Sequence, residues 1–164
     1  THRLAMEMAA RIAAIAPVGG TLTLDREDCH PARPVPVLQM HGLADWIVPY
    51  QGVTEQAAKI VPGIQFHSVA ETIEIWTEIN HCQAEPIIEP LPDQHDDGTV
   101  VTRWTYPPRS GGAEVVLYRI VGGGHTWPGA ESPLPFLGRS TREINANDLI
   151  WEFFQRHPLP EKSE

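Results

Sequence analysis

The sequence predicts an α/β fold, a mostly parallel sheet with helices on both faces, and three observations carry that reading. Two short apolar runs without polar alternation, "RIAAIAPVGG" and "VPVLQMHG", have the pattern of strands covered on both sides. Segments of helical period lie beside them, the clearest being "SVAETIEIWTEIN". The two kinds of segment alternate along 164 residues, a length that fits one domain of about 100–200 residues.

Residues 1–9 place Leu4, Ala5, Met8 and Ala9 at helical spacings and read as the end of an amphipathic helix. Residues 11–18 read as a strand closed by Pro17 and the Gly19–Gly20 pair, and the polar stretch 21–34, with Pro31 and Pro34, as a loop. A second strand over 35–42 stops at Gly42, and "LADWIVPYQG" then leads into a helical stretch at 53–60. Ser68, with Glu71 three positions on, is a capping box for a helix over 68–80 whose apolar side is Val69, Ile73, Trp76 and Ile79. Glu71, Glu74 and Glu78 make its solvated side. "TVVTRWTY" and "AEVVLYRI", separated by "PPRSGG", read as an antiparallel hairpin near a sheet edge. The last helix is capped by Asn145, carries Leu149, Ile150, Phe153 and Phe154 as its apolar stripe, and ends before Pro158.

Composition narrows the function. At 41% hydrophobic and 20% charged residues the chain is globular, not disordered. Its net charge of −9 repels phosphate backbones and anionic lipid, which argues against nucleic-acid or membrane partners. No window approaches the roughly 20 apolar residues of a membrane helix. The chain begins at Thr1 with no basic or apolar leader pattern, so targeting information is absent or precedes this numbering. Cys29 and Cys82 permit one disulfide, which is favoured over a nucleophilic role for Cys82 because no neighbouring motif would lower its pKa. The eight histidines show no H-x3-H and the cysteines no C-x2-C spacing, so neither metal nor other cofactor is expected.

In an α/β sheet, functional residues follow strands. Asp45 follows "VLQMHG", and His125 sits in "VGGGHTWPG" after "VVLYRI". A carboxylate that accepts from imidazole Nδ1–H fixes the tautomer and leaves Nε2 to take a proton from a nucleophile. The competing readings are a helix-capping Asp45, a structural His125 and a phosphate loop at Gly122, Gly123 and Gly124; the last lacks the G-K-[ST] that phosphate binding needs. Trp46 and Trp127, beside the acid and the base, either line a substrate mouth or anchor their loops. His41 reads as a packed, hydrogen-bonded histidine.

"PVPVLQMHGLADWIVPY", "GAEVVLYRIVGGGHTWPG" and the closing "IWEFF" resemble the polyhydroxybutyrate depolymerase and feruloyl esterase group of α/β-hydrolases, secreted serine esterases. The resemblance implies Asp45 and His125 as catalytic acid and base, a small or polymeric ester as substrate, and an extracellular or periplasmic location. Leu43 and Trp46 depart from the Thr and Pro more common there. The family's nucleophile stands in a G-x-S-x-G elbow, and no serine of this chain has that context. The resemblance therefore implies that residues 1–164 are the C-terminal half of one α/β-hydrolase domain, incomplete at its N-terminus, with the serine upstream and little or no activity of its own. The alternative is a hydrolase-derived module that binds a ligand without catalysis. Self-association, or pairing with an N-terminal segment, would complete the domain.

Overall fold

The computed structural model describes residues 1–53, 66–132 and 134–159. Helix α1 (His2–Glu7) is followed by strand β1 (Val37–Gly42), helix α2 (Val69–Ile79), strands β2 (Ile87–Pro90), β3 (Val100–Tyr106) and β4 (Val115–Val121), and helix α3 (Ala146–Arg156). Two single-turn 3-10 helices, Arg26–Asp28 and Pro135–Leu137, lie in the connections.

The strand order is β1-β4-β3-β2. β4, an unbroken apolar run over most of its length, is buried between β1, which it pairs in parallel, and β3, which it pairs antiparallel; β3 pairs antiparallel with β2. The sheet is therefore mixed, and the expectation of a mostly parallel sheet is corrected. One sequence reading failed for a local reason. Residues 11–18 make only parallel bridges to β1, at Ile15 and Val18, because Pro17 between them has no N–H with which to close a rung. The antiparallel β3–β4 hairpin is present, one strand in from the edge formed by β2, a four-residue strand ending in Pro90 that the sequence reading did not mark.

Helices cover both faces of the sheet. On one face Ala5 and Met6 of α1 and Val69, Ile73 and Trp76 of α2 pack with Val37, Val115 and Leu117. On the other, Ala146 and Phe153 of α3 pack with Leu38, Met40, Val116, Tyr118 and Ile120. The alternation of strand residues between these two clusters is the period of two expected of a pleated strand. α1 is shorter than its spacing indicated and turns Leu4 out to solvent. In α3, Phe153 is buried while Phe154 is partly exposed. Most of the helix expected at 53–60 lies outside the described residues.

The capping box of α2 is complete: Glu71 N–H donates to Ser68 Oγ at 3.1 Å, and Ser68 N–H donates to Glu71 Oε2 at 2.8 Å. At the other end Asn80, fully buried, clamps the approach to β1 by accepting from Val35 N–H at 3.0 Å and donating to Val35 C=O at 2.7 Å. The expected disulfide is absent. Cys29 and Cys82 are separate buried thiols, directed at the carbonyls of Asp25 and Ala113. Burial pushes the Cys82 thiol up to about 11, which removes it as a nucleophile near neutral pH.

Candidate active site

Because β1 and β4 are parallel neighbours, with Gly42 opposite Ile120, their C-terminal ends emerge side by side. The loops that follow are stitched together by backbone: Leu43 N–H donates to Ile120 C=O and Ala44 N–H to Gly123 C=O, each at 2.9 Å. That approach requires glycine. A Cβ on Gly42 would lie 2.2 Å from the Gly123 carbonyl oxygen, so an alanine there would force the two loops apart. The glycines before His125 thus serve backbone contact within the chain, Gly124 against Leu137 C=O being a second case.

This stitching brings Asp45 and His125 together. His125 Nδ1–H donates to Asp45 Oδ2 at 2.8 Å, while Asp45 Oδ1 accepts the backbone N–H groups of Ile47 and Val48, both at 2.9 Å. Three donors converge on one fully buried carboxylate. With Nδ1 carrying the proton, Nε2 of the neutral ring presents its lone pair, and the imidazole remains one-third exposed. His125 is held from behind as well, its N–H donating to Leu137 C=O at 2.7 Å and its ring lying against Gly19.

His41 is the buried, hydrogen-bonded residue the sequence indicated, and it supports the acid. Its Nε2–H donates to Val48 C=O at 2.9 Å, the same residue whose N–H binds Asp45, and Nε2 stands 3.6 Å from Asp45 Oδ2. Burial lowers its pKa, which keeps the ring neutral.

The two tryptophans go separate ways. Trp46, 63% exposed, donates its indole N–H to Phe136 C=O at 2.7 Å, which ties it to the segment that also fixes His125. Exposed Ile47, Leu134 and Phe136 belong to the same loops. Trp127 donates to Asn147 Oδ1 at 3.1 Å, linking its loop to the first turn of α3.

Among the described residues no hydroxyl or thiol is hydrogen-bonded to His125. Ser68 is engaged with Glu71, Ser132 with Leu134 C=O, and Ser140 with Trp127 C=O. No cluster of potential metal ligands occurs among the described residues.

Sequence reasoning missed Gly19 and His2. His2 is buried, accepts from Trp76 Nε1–H at 2.9 Å and turns Nε2 toward Gly20 C=O at 3.4 Å. Burial lowers its pKa to about 4. The start of α1 is thereby fastened to the glycine pair whose first member touches His125. The only signal was the Gly19–Gly20 pair after an apolar run.

No protein-family model matches the chain. It is 31% identical over 159 residues to the protein named "Putative esterase NocK" of Nocardia uniformis subsp. tsuyamanensis, covering 92% of this chain and 46% of that protein. It is 34% identical over 122 residues to "Feruloyl esterase B" of Piromyces equi, covering 73% of this chain and 21% of that protein. The chain spans less than half the length of either relative. Both are named as esterases, and this likeness points to ester-hydrolase parentage.

Proposed function

We propose that Asp45 and His125 are the acid and base of a serine carboxylic-ester hydrolase of the polyhydroxybutyrate depolymerase and feruloyl esterase kind, in the C-terminal half of an α/β-hydrolase domain. The observation that carries this reading is the 2.8 Å bond from His125 Nδ1 to the buried Asp45 carboxylate, which leaves Nε2 to work toward solvent. The serine belongs to polypeptide outside these 164 residues.

In this mechanism Nε2 takes the serine proton as the hydroxyl oxygen attacks the ester carbonyl carbon. Collapse of the tetrahedral intermediate breaks the bond to the alcohol, which leaves with the proton from Nε2. Water then attacks the acyl-serine, gives its proton to Nε2, and the serine oxygen recovers it as the acid departs. Asp45 holds the ring and stabilises the imidazolium in both halves. The oxyanion donors come from the same polypeptide as the serine. Trp46, with Ile47 and Phe136, offers apolar surface to the substrate; Trp127 acts by anchoring the base's loop on α3.

The test is hydrolysis of a p-nitrophenyl ester by the longer polypeptide that contains this chain. Asp45→Asn is expected to lower kcat on the order of 10^4-fold, the scale set by loss of the correct tautomer, and His125→Ala at least as much. Near-full activity in His125→Ala removes the base assignment. Robust turnover by residues 1–164 alone, abolished by His125→Ala, overturns the external serine.

A further inference from the structure

Arg119 of β4 has a setting unlike that of the chain's paired arginines. Arg3, Arg26, Arg103 and Arg156 each reach a glutamate, in a protein with 21 acidic and 12 basic residues. Arg119, half-buried, reaches none among the described residues. Its guanidinium stands over the Trp104 ring at 4.7 Å and the Tyr50 ring at 5.7 Å, and its one hydrogen bond there is Nε–H to Tyr50 Oη at 3.0 Å. The terminal Nη donors have no partner among the described residues.

These residues form one side of a cleft of about 370 Å³ between α2 and the sheet. Ile73, Leu117, Trp104 and Tyr106 supply apolar and aromatic walls. The donors there are the Arg119 fork, the Tyr50 hydroxyl, whose oxygen already accepts from Arg119, and the Trp104 indole N–H, which is buried without an acceptor; Gln51, Thr77 and the Tyr106 hydroxyl add neutral polar groups. Among the described residues the lining carries one acid, Glu74, which has Arg26 at 3.8 Å to offset its charge.

A planar guanidinium with its fork open, flanked by flat rings, matches a carboxylate on a flat apolar body. We propose that this cleft is a binding site for a small aromatic or similarly planar carboxylate, with the carboxylate taken by Arg119 and the body stacked against Trp104 and Tyr106. Arg119 is opposite His41 in the β1–β4 register, so the site lies on the same sheet face as the residue that supports Asp45. Nothing in this site uses His125, so binding here is independent of ester hydrolysis.

The test is a titration of the chain with benzoate and with benzamide, its uncharged counterpart, followed by heteronuclear NMR of the Trp104 indole and Arg119 Nε–H signals. Benzoate is expected to shift both saturably and to bind at least about tenfold more tightly than benzamide, and Arg119→Gln is expected to bring benzoate down to the benzamide level. Equal binding of the two compounds overturns the proposal, as do benzoate shifts that survive Arg119→Gln, shifts centred on His125, or no saturable shift. If Arg119→Gln does not fold, the comparison of the two compounds on the unaltered chain decides.

Discussion

The loops at the carboxyl ends of β1 and β4 and the cleft around Arg119 share strand β4 but treat their polar groups in opposite ways. In the loops every oxygen of Asp45 is engaged, the base is fixed at Nδ1 and at its backbone N–H, and His41 braces the same turn. In the cleft a cation rests on aromatic rings, and donors remain without acceptors. Preorganisation for proton transfer demands satisfied partners, whereas a ligand site keeps its complementary groups available. The first region should therefore be costly to alter and the second cheap.

The largest effect is expected at Asp45. Asp45→Ala leaves the Ile47 and Val48 N–H groups and the His125 Nδ1–H without their acceptor, and urea denaturation should show a loss of about 3–5 kcal/mol. A loss below about 1 kcal/mol would mean that the loops are not held by the carboxylate and would erase the contrast.

A second effect depends on pH. His2 has a folded pKa of about 4 against 6.5 for the free side chain, because burial disfavours its charged form. Between those values the unfolded chain takes up the proton and the folded chain does not. Its contribution is therefore intact above pH 6.5 and falls away as pH drops toward 4, by on the order of 3 kcal/mol in all. Denaturation midpoints of the chain and of His2→Gln across that range measure it; equal slopes would remove His2 as the anchor between α1 and the Gly19–Gly20 turn.

The smallest effect sharpens the comparison from the other side. Arg119→Gln gives up the bond to Tyr50 and the stacking on Trp104, and should cost only about 1 kcal/mol by the same denaturation measurement. A cost matching that of Asp45→Ala would make Arg119 part of the fold's framework and not an open ligand group.

Much of this was legible from neighbours in the chain. The Ser68–Glu71 box, the Asn145 cap and the β-branched content of β3 and β4 act over a few residues, and each produced the element it marks. Asp45 and His125 were visible as polar residues just beyond strands, and the structure brings them into contact. Arg119, by contrast, looked like any basic residue in a strand, because its distinction is that it rests on Trp104 and Tyr50 and has no acid paired with it among the described residues. His2 looked like a terminal polar residue, because its burial depends on Trp76, 74 positions away.

By itself, then, the sequence determined the ends of α2 and α3, the runs of β1, β3 and β4, the glycines on which two backbones close and the pair of ionisable loops, all of which follow from local propensity and steric freedom. The tertiary structure alone decided that β4 would lie between β1 and β3, that Cys29 and Cys82 would remain apart, and that residues 11–18 would touch β1 only at two bridges. Those outcomes depend on which surfaces meet across the fold, and contacts between segments distant in the chain are settled by packing and by the hydrogen-bond ladder, which no local window contains.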